Sequence, residues 1–230
     1  MTPLVLLPGM MCDARLFTPQ AAALSGGRAI HHAPIGGHAT MAGIAASVLA
    51  DAPPRCALAG LSMGGIVAME ILRQAPDRVD RLALLDTNPL AETPQARDRR
   101  APQMRAAEAG DLARIMRDEM KPNYLADTPN RGAILDLCMT MALDLGPEVF
   151  LRQSRALRDR PDQTATLRGY SGPALILCGR EDVPCPPARH ELMHRLMPRA
   201  RLEILEGAGH LTTLEAPEAV NAALSDWLAA

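Results

Sequence analysis

The sequence predicts an α/β protein: a doubly wound, mainly parallel sheet of about six strands with an inserted helical segment. Three observations point there. Apolar runs of about five residues alternate with helical stretches, the pattern of parallel strands covered on both faces. A Gly-Leu-Ser-Met-Gly turn, Gly60 to Gly64, sits at the seam between one such run and the helix after it. The alternation then stops at Asn88 and resumes only after Arg168.

Taken in order, residues 4–7 (LVLL) read as the first strand, 14–24 as a helix, 29–33 as a strand and 41–49 as a helix. Residues 56–59 follow as a strand, 63–74 as a helix that ends before Pro76, and 81–85 as a strand. The second half supplies a strand at 174–178, a helix at 188–197, a strand at 201–205 and a helix at 217–228. Between them, residues 88–168 hold no convincing strand. Helical patterns at 104–120, 131–143 and 149–157 suggest an insertion at the carboxyl edge of the sheet, where ligands bind in such folds. The expected organisation is a core of 1–87 and 169–230 with a helical lid at 88–168.

The chain has 230 residues, enough for one such domain. Its net charge of −2 and 2% aromatic content argue against a nucleic-acid partner, which wants basic excess and stacking platforms. No apolar run is long enough to span a bilayer, and the first residues lack the basic flank of a signal peptide, so neither membrane nor export is expected. Five cysteines without metal or redox spacing read as free thiols in a cytoplasmic setting.

A serine between glycines on a strand-to-helix turn lifts its hydroxyl above the sheet. Gly60 and Gly64 are required because the chain nearly touches itself there, and Ser62 is expected to be strained. As a nucleophile, Ser62 needs a base, an acid behind the base, and donors for the developing oxyanion. His210, in the Gly207-Ala208-Gly209-His210 loop after the last strand, is the candidate base. Asp182, in the Gly179-Arg180-Glu181-Asp182 loop after the fifth strand, is the candidate acid; Asp86 at the end of the fourth strand is its rival. The oxyanion donors are expected to be the backbone N–H groups of Met63, after the nucleophile, and Met10, in the Pro8-Gly9-Met10-Met11 loop after the first strand. The expected partner is a small-molecule ester, with no cofactor.

These residues carry a resemblance. Leu6-Leu7-Pro8-Gly9, Gly60-Leu61-Ser62-Met63-Gly64-Gly65, Gly179-Arg180-Glu181-Asp182 and Gly207-Ala208-Gly209-His210 occur in the order found in the α/β-hydrolase superfamily. The likeness spans nearly the whole chain and is nearest to small lidded serine carboxylesterases, including the methyl ester esterases of biotin synthesis. It implies the α/β-hydrolase fold and ester cleavage through an acyl-enzyme. The superfamily also contains lyases, acyltransferases and ligand-binding proteins, so a non-hydrolytic role is the alternative. The chain departs from many members in carrying Pro8-Gly9 where they carry His-Gly.

Three further signals compete. His190-Glu191-Leu192-Met193-His194 matches the zinc motif H-E-x-x-H, but Leu192, Met193 and Leu196 are expected to face the sheet, leaving both histidines towards solvent without a third ligand. Arg152, Arg155, Arg158 and Arg160 form a basic stripe at the end of the lid, a place where an acidic carrier protein or a substrate carboxylate could dock, or else a solvated face paired with Asp159 and Asp162. Met116, Met120, Met139 and Met141 read either as an acyl pocket or as packing.

Overall fold

A computed structural model describes all residues, 1–230. Six strands form one sheet in the order β2-β1-β3-β4-β5-β6, with every neighbouring pair parallel: β1 (Leu4–Leu7), β2 (Ile30–His32), β3 (Cys56–Leu61), β4 (Val79–Leu85), β5 (Ala174–Gly179) and β6 (Arg201–Leu205). The central strands are apolar throughout because both faces are covered. Successive residues alternate between two cores. Val5, Leu7, Leu58, Leu84 and Ile176 enter one; Leu4, Leu6, Ala59, Leu85 and Leu177 enter the other. Each fully buried Leu or Ile stabilises the fold by about 1.5–3 kcal/mol.

The first half contributes α1 (Thr18–Leu24), α2 (Met41–Asp51) and α3 (Met63–Gln74). Between β4 and β5 lie α4 (Pro94–Glu108), a short α5 (Leu112–Arg114), α6 (Arg131–Arg158) and α7 (Thr164–Arg168). The chain closes with α8 (Pro187–Leu196), α9 (Thr212–Glu215) and α10 (Pro217–Ala229). The helix expected over 104–120 is broken: α4 begins earlier, capped by the Thr93 side chain, and stops at Gly110, whose φ of 95° leaves the helical region. A π-helical turn at Ile115–Met120 follows α5. The expected helices at 131–143 and 149–157 form one element kinked at Gly146 (φ 77°, ψ 175°), directly before Pro147, which lacks the N–H a continuous helix needs. No helix is long and apolar enough to cross a membrane.

The zinc-motif helix differs from expectation. His190 is fully buried, not solvent-facing, and its Nε2 accepts a hydrogen bond from the Thr87 N–H at 2.9 Å. Helix α8 is rolled so that Met193 and His190 point inward together. A buried imidazole with one polar partner is held neutral: burial pushes His190 down to about 4. The sign follows. As pH falls from about 6.5 the unfolded chain takes up a proton that folded His190 refuses until near 4, so stability is lost across that window, by about 3 kcal/mol in full. Glutamine can keep an acceptor for Thr87, so the His190→Gln variant should lose that much less stability than wild type between pH 7 and pH 4 in chemical denaturation. Parallel losses in the two proteins would contradict this account of His190.

Candidate active site

The turn at Ser62 is built from close approaches. A Cβ on Gly60 would stand 2.3 Å from the Gly64 carbonyl oxygen, and one on Gly64 would stand 2.0 Å from that of Leu7, so only glycine fits at either place. Ser62 itself has φ 55° and ψ −116°, a strained conformation for a residue with a side chain. Its surroundings hold it there. Ser62 N–H donates to Leu85 O at 2.9 Å, and Thr87 Oγ1 donates to Ser62 O at 2.7 Å. The inward His190 therefore supports Thr87, which supports the serine.

Strand ends bring three side chains together. His210 Nε2 lies 2.9 Å from Ser62 Oγ, and His210 Nδ1 lies 2.9 Å from each carboxylate oxygen of Asp182. Asp182 is buried, and its Oδ1 also accepts the Cys185 N–H at 2.7 Å. With Nδ1–H donated to the carboxylate, Nε2 presents a lone pair to the serine hydroxyl, the arrangement a general base requires.

Asp86 does not reach His210. Fully buried with φ 46°, it accepts from Gly179 N–H (3.2 Å), Thr212 N–H (3.2 Å) and Thr212 Oγ1 (2.6 Å). It thereby ties the end of β4 to the loops that carry Asp182 and His210. Burial, and then the charge of Asp182, push its carboxyl well above the usual range.

Met10 and Met63 both line the cleft beside Ser62 and His210. Met63 opens the first turn of α3, where backbone N–H groups lack intrahelical partners. Met10 lies in the turn closed by Cys12 N–H donating to Gly9 O at 3.2 Å. Sequence reasoning missed what fixes that turn. Met11 has φ 55°, and its N–H donates at 2.9 Å to Oε1 of Gln153, a buried residue of α6. The helical insertion thus holds the Gly9–Cys12 loop in place.

A second missed residue is Glu215. Its Oε1 accepts from Gly209 N–H (3.0 Å) and Ala126 N–H (2.8 Å), and its Oε2 from Leu211 N–H (3.0 Å), so one carboxylate clamps both sides of His210 to the insertion. His210 N–H donates to Tyr124 O at 2.6 Å, and the two rings pack with centroids 5.5 Å apart. A Cβ on Gly209 would come within 2.7 Å of this segment's backbone, which explains the glycine before the histidine. Glutamine at 215 offers one acceptor oxygen where three donors converge. Glu215→Gln should therefore lower kcat on a short ester by about 10- to 100-fold, on the scale of losing a supporting contact of a catalytic group, and cost about 1–3 kcal/mol of stability. Steady-state kinetics and a denaturation curve check this; a variant with wild-type kcat would show that the clamp does not position His210.

The cleft above Ser62 has a volume of about 710 Å³. Met120 lines it, whereas Met116 and Met141 are fully buried packing residues and Met139 packs against the core. The basic stripe is engaged within the molecule. Arg152 donates to Gly36 O at 2.7 Å, Arg155 lies 3.8 Å from Glu108, Arg158 pairs with Asp159 at 2.7 Å, and Arg160 turns inward to line the cleft. Asp162 bonds Thr164 instead of an arginine.

Comparison with known proteins bears on the family and the fold. The sequence model described as "Alpha/beta hydrolase family" matches residues 4–223. An sn-1-specific diacylglycerol lipase of Mus musculus is 28% identical over 181 residues, covering 76% of this chain and 59% of the lipase, less than two thirds of its length. A pimeloyl-[acyl-carrier protein] methyl ester esterase of Nitrosomonas europaea is 30% identical over 188 residues, covering 74% of this chain and 71% of the esterase. Among solved structures, a malate-bound thermophilic esterase from Thermogutta terrifontis superposes with a TM-score of 0.86 at 29% identity, covering 99% of this chain and 89% of that one.

Proposed function

The chain belongs to the alpha/beta hydrolase family, and from that premise we propose that it cleaves carboxylic esters through an acyl-enzyme intermediate. Ser62 attacks the ester carbonyl, His210 takes the hydroxyl proton and returns it to the leaving alcohol, and Asp182 orients and stabilises the imidazolium. The N–H groups of Met10 and Met63 stabilise the oxyanion; losing one such donor typically costs about 100- to 1,000-fold in rate. Water then repeats the sequence on the acyl-serine. No cofactor enters the scheme. The observation that carries the reading is the continuous contact from Asp182 through His210 to the strained Ser62, at 2.9 Å on each side of the imidazole, opening into the cleft.

Residues 88–168 are proposed as the lid of this site. Gln153, Tyr124 and Ala126 tie the insertion to the oxyanion loop and the histidine loop, so the lid is a structural part of the catalytic wall. The proposed partner is a small-molecule ester, since the cleft opens at Ser62, whereas Arg152, Arg155 and Arg158 of the stripe each lie within 4.0 Å of a carboxylate of the same chain, Glu148, Glu108 and Asp159. All five cysteines are unpaired, which supports the proposed cytoplasmic setting.

The acyl-enzyme step has its own test. Two nitrophenyl and alkyl esters that share an acyl group should partition identically between acid and methyl ester when methanol is added, because both pass through the same acyl-Ser62. Partition ratios that follow the leaving group would contradict a common intermediate.

A further inference from the structure

One wall of the cleft holds more guanidinium than carboxylate. Arg160 is buried; its Nε–H donates to Leu90 O at 2.9 Å and its Nη1 lies 3.3 Å from one oxygen of Glu92. The other oxygen of Glu92 takes Arg100, at 2.7 Å from Nε and 2.6 Å from Nη2. One carboxylate, with only 6% of its side chain exposed, thus serves two guanidiniums. Arg99 and Arg189 line the same cleft and have no carboxylate within 4.0 Å. The second lining carboxylate, Glu119, is engaged by Gln103 at 3.0 Å and by Arg114 at 2.7 Å. The lining therefore carries four guanidiniums against two carboxylates.

Position matters as much as charge. Cys185, whose N–H donates to Asp182, lines the cleft together with Arg160 and Arg189, so the cationic wall adjoins the acid side of the catalytic residues. Burial holds Arg160 below its ordinary value; Glu92 opposes this, and the nearby charges of Arg100 and Arg189 add to it. An under-neutralised buried cation costs free energy that an arriving anion recovers, and guanidinium forks match the two oxygens of an oxyanion. Glu92 alone would suffice to pin one arginine; it does not account for the unpaired Arg189 beside it.

We propose that Arg160, Arg100 and Arg189 form an oxyanion subsite, so that the ester cleaved at Ser62 carries a carboxylate or phosphate at its far end. The reaction in this statement rests on the ester-hydrolase reading; the binding does not. The test is therefore made on the Ser62→Ala protein by calorimetry. Monomethyl glutarate, a phosphate-terminated methyl ester of the same length and the uncharged methyl valerate are titrated in turn. Either charged ester, or both, should bind about 10- to 100-fold more tightly than the neutral one, the scale of a charge-assisted pair, and the advantage should shrink with added salt. The two charged arms identify which oxyanion is preferred.

Arg189 is only half-buried, so Arg189→Gln should fold, which a thermal melt checks, and it should remove most of the discrimination. Arg100→Gln serves as the second variant. Equal affinity for charged and neutral esters overturns the proposal, as does a preference that survives both substitutions. Wild-type hydrolysis of the same three esters reads the reaction separately: if none is cleaved while a charged ester still binds the Ser62→Ala protein, the hydrolase reading falls and the subsite stands.

Discussion

Ser62→Ala will cut turnover of a short nitrophenyl ester by up to about a million-fold, the scale on which serine hydrolases depend on their nucleophile. The loss should fall on kcat. The methyl of alanine removes the attacking oxygen but leaves the cleft and its lining in place. It also removes the hydroxyl partner of His210 Nε2, which faces the cleft and can turn to water, so stability should change little. Kinetics with active-site titration and a melting curve read both effects. Undiminished turnover would remove Ser62 from the mechanism.

Asp182→Asn should cost about 10,000-fold in kcat with KM little changed. The amide has nearly the shape of the carboxylate. It would nevertheless set an NH₂ group or a neutral carbonyl against His210 Nδ1, where two carboxylate oxygens now stand at 2.9 Å, and it would favour the tautomer whose Nε2 cannot accept the serine proton. Asp86→Asn separates the two acids. Asp86 touches Gly179 and Thr212 and not the imidazole, so its substitution should appear mainly as lost stability, about 1–3 kcal/mol for mismatched buried donors, with a much smaller fall in kcat. Equal kcat losses in the two variants at unchanged stability would make Asp86 a sharer of the acid role.

The contrast between these two carboxylates shows where sequence reading stops. Both follow a strand at the same edge of the sheet, and both end in loops that approach His210. Only tertiary distance separates them. The parallel sheet, by contrast, is legible because its central strands are short uninterrupted apolar runs, and the serine turn is legible because glycine is the only residue that tolerates a carbonyl at 2.3 Å or closer. His190 was hidden by a different problem. The spacing of Leu192, Met193 and Leu196 leaves the roll of a ten-residue helix uncertain by about one position, and that one position decides whether an imidazole meets solvent or Thr87. Gln153 and Glu215 were beyond reach. They hold Met11 and Ala126 across 142 and 89 residues of sequence, and a glutamine or glutamate on a helix carries no local sign of a distant backbone partner.

The insertion shows the same limit in its breaks. Gly110 and Gly146-Pro147 mark the interruptions of α4 and α6, and both are visible as helix breakers. Their consequence is not visible: the kink lets the second half of α6 carry Gln153 to the loop after β1, while the irregular stretch after α5 carries Tyr124 and Ala126 to the His210 loop. Irregular backbone is what allows one insertion to brace both loops.

The central claim is that Ser62 is activated by His210 and Asp182, and a fluorophosphonate probe reads this directly. Mass spectrometry of the labelled protein should find one stoichiometric adduct, on the peptide containing Ser62, formed in the wild type and lost or strongly slowed when His210 is replaced by alanine. An unlabelled protein, or an adduct on any other residue with esterase activity intact, would contradict it.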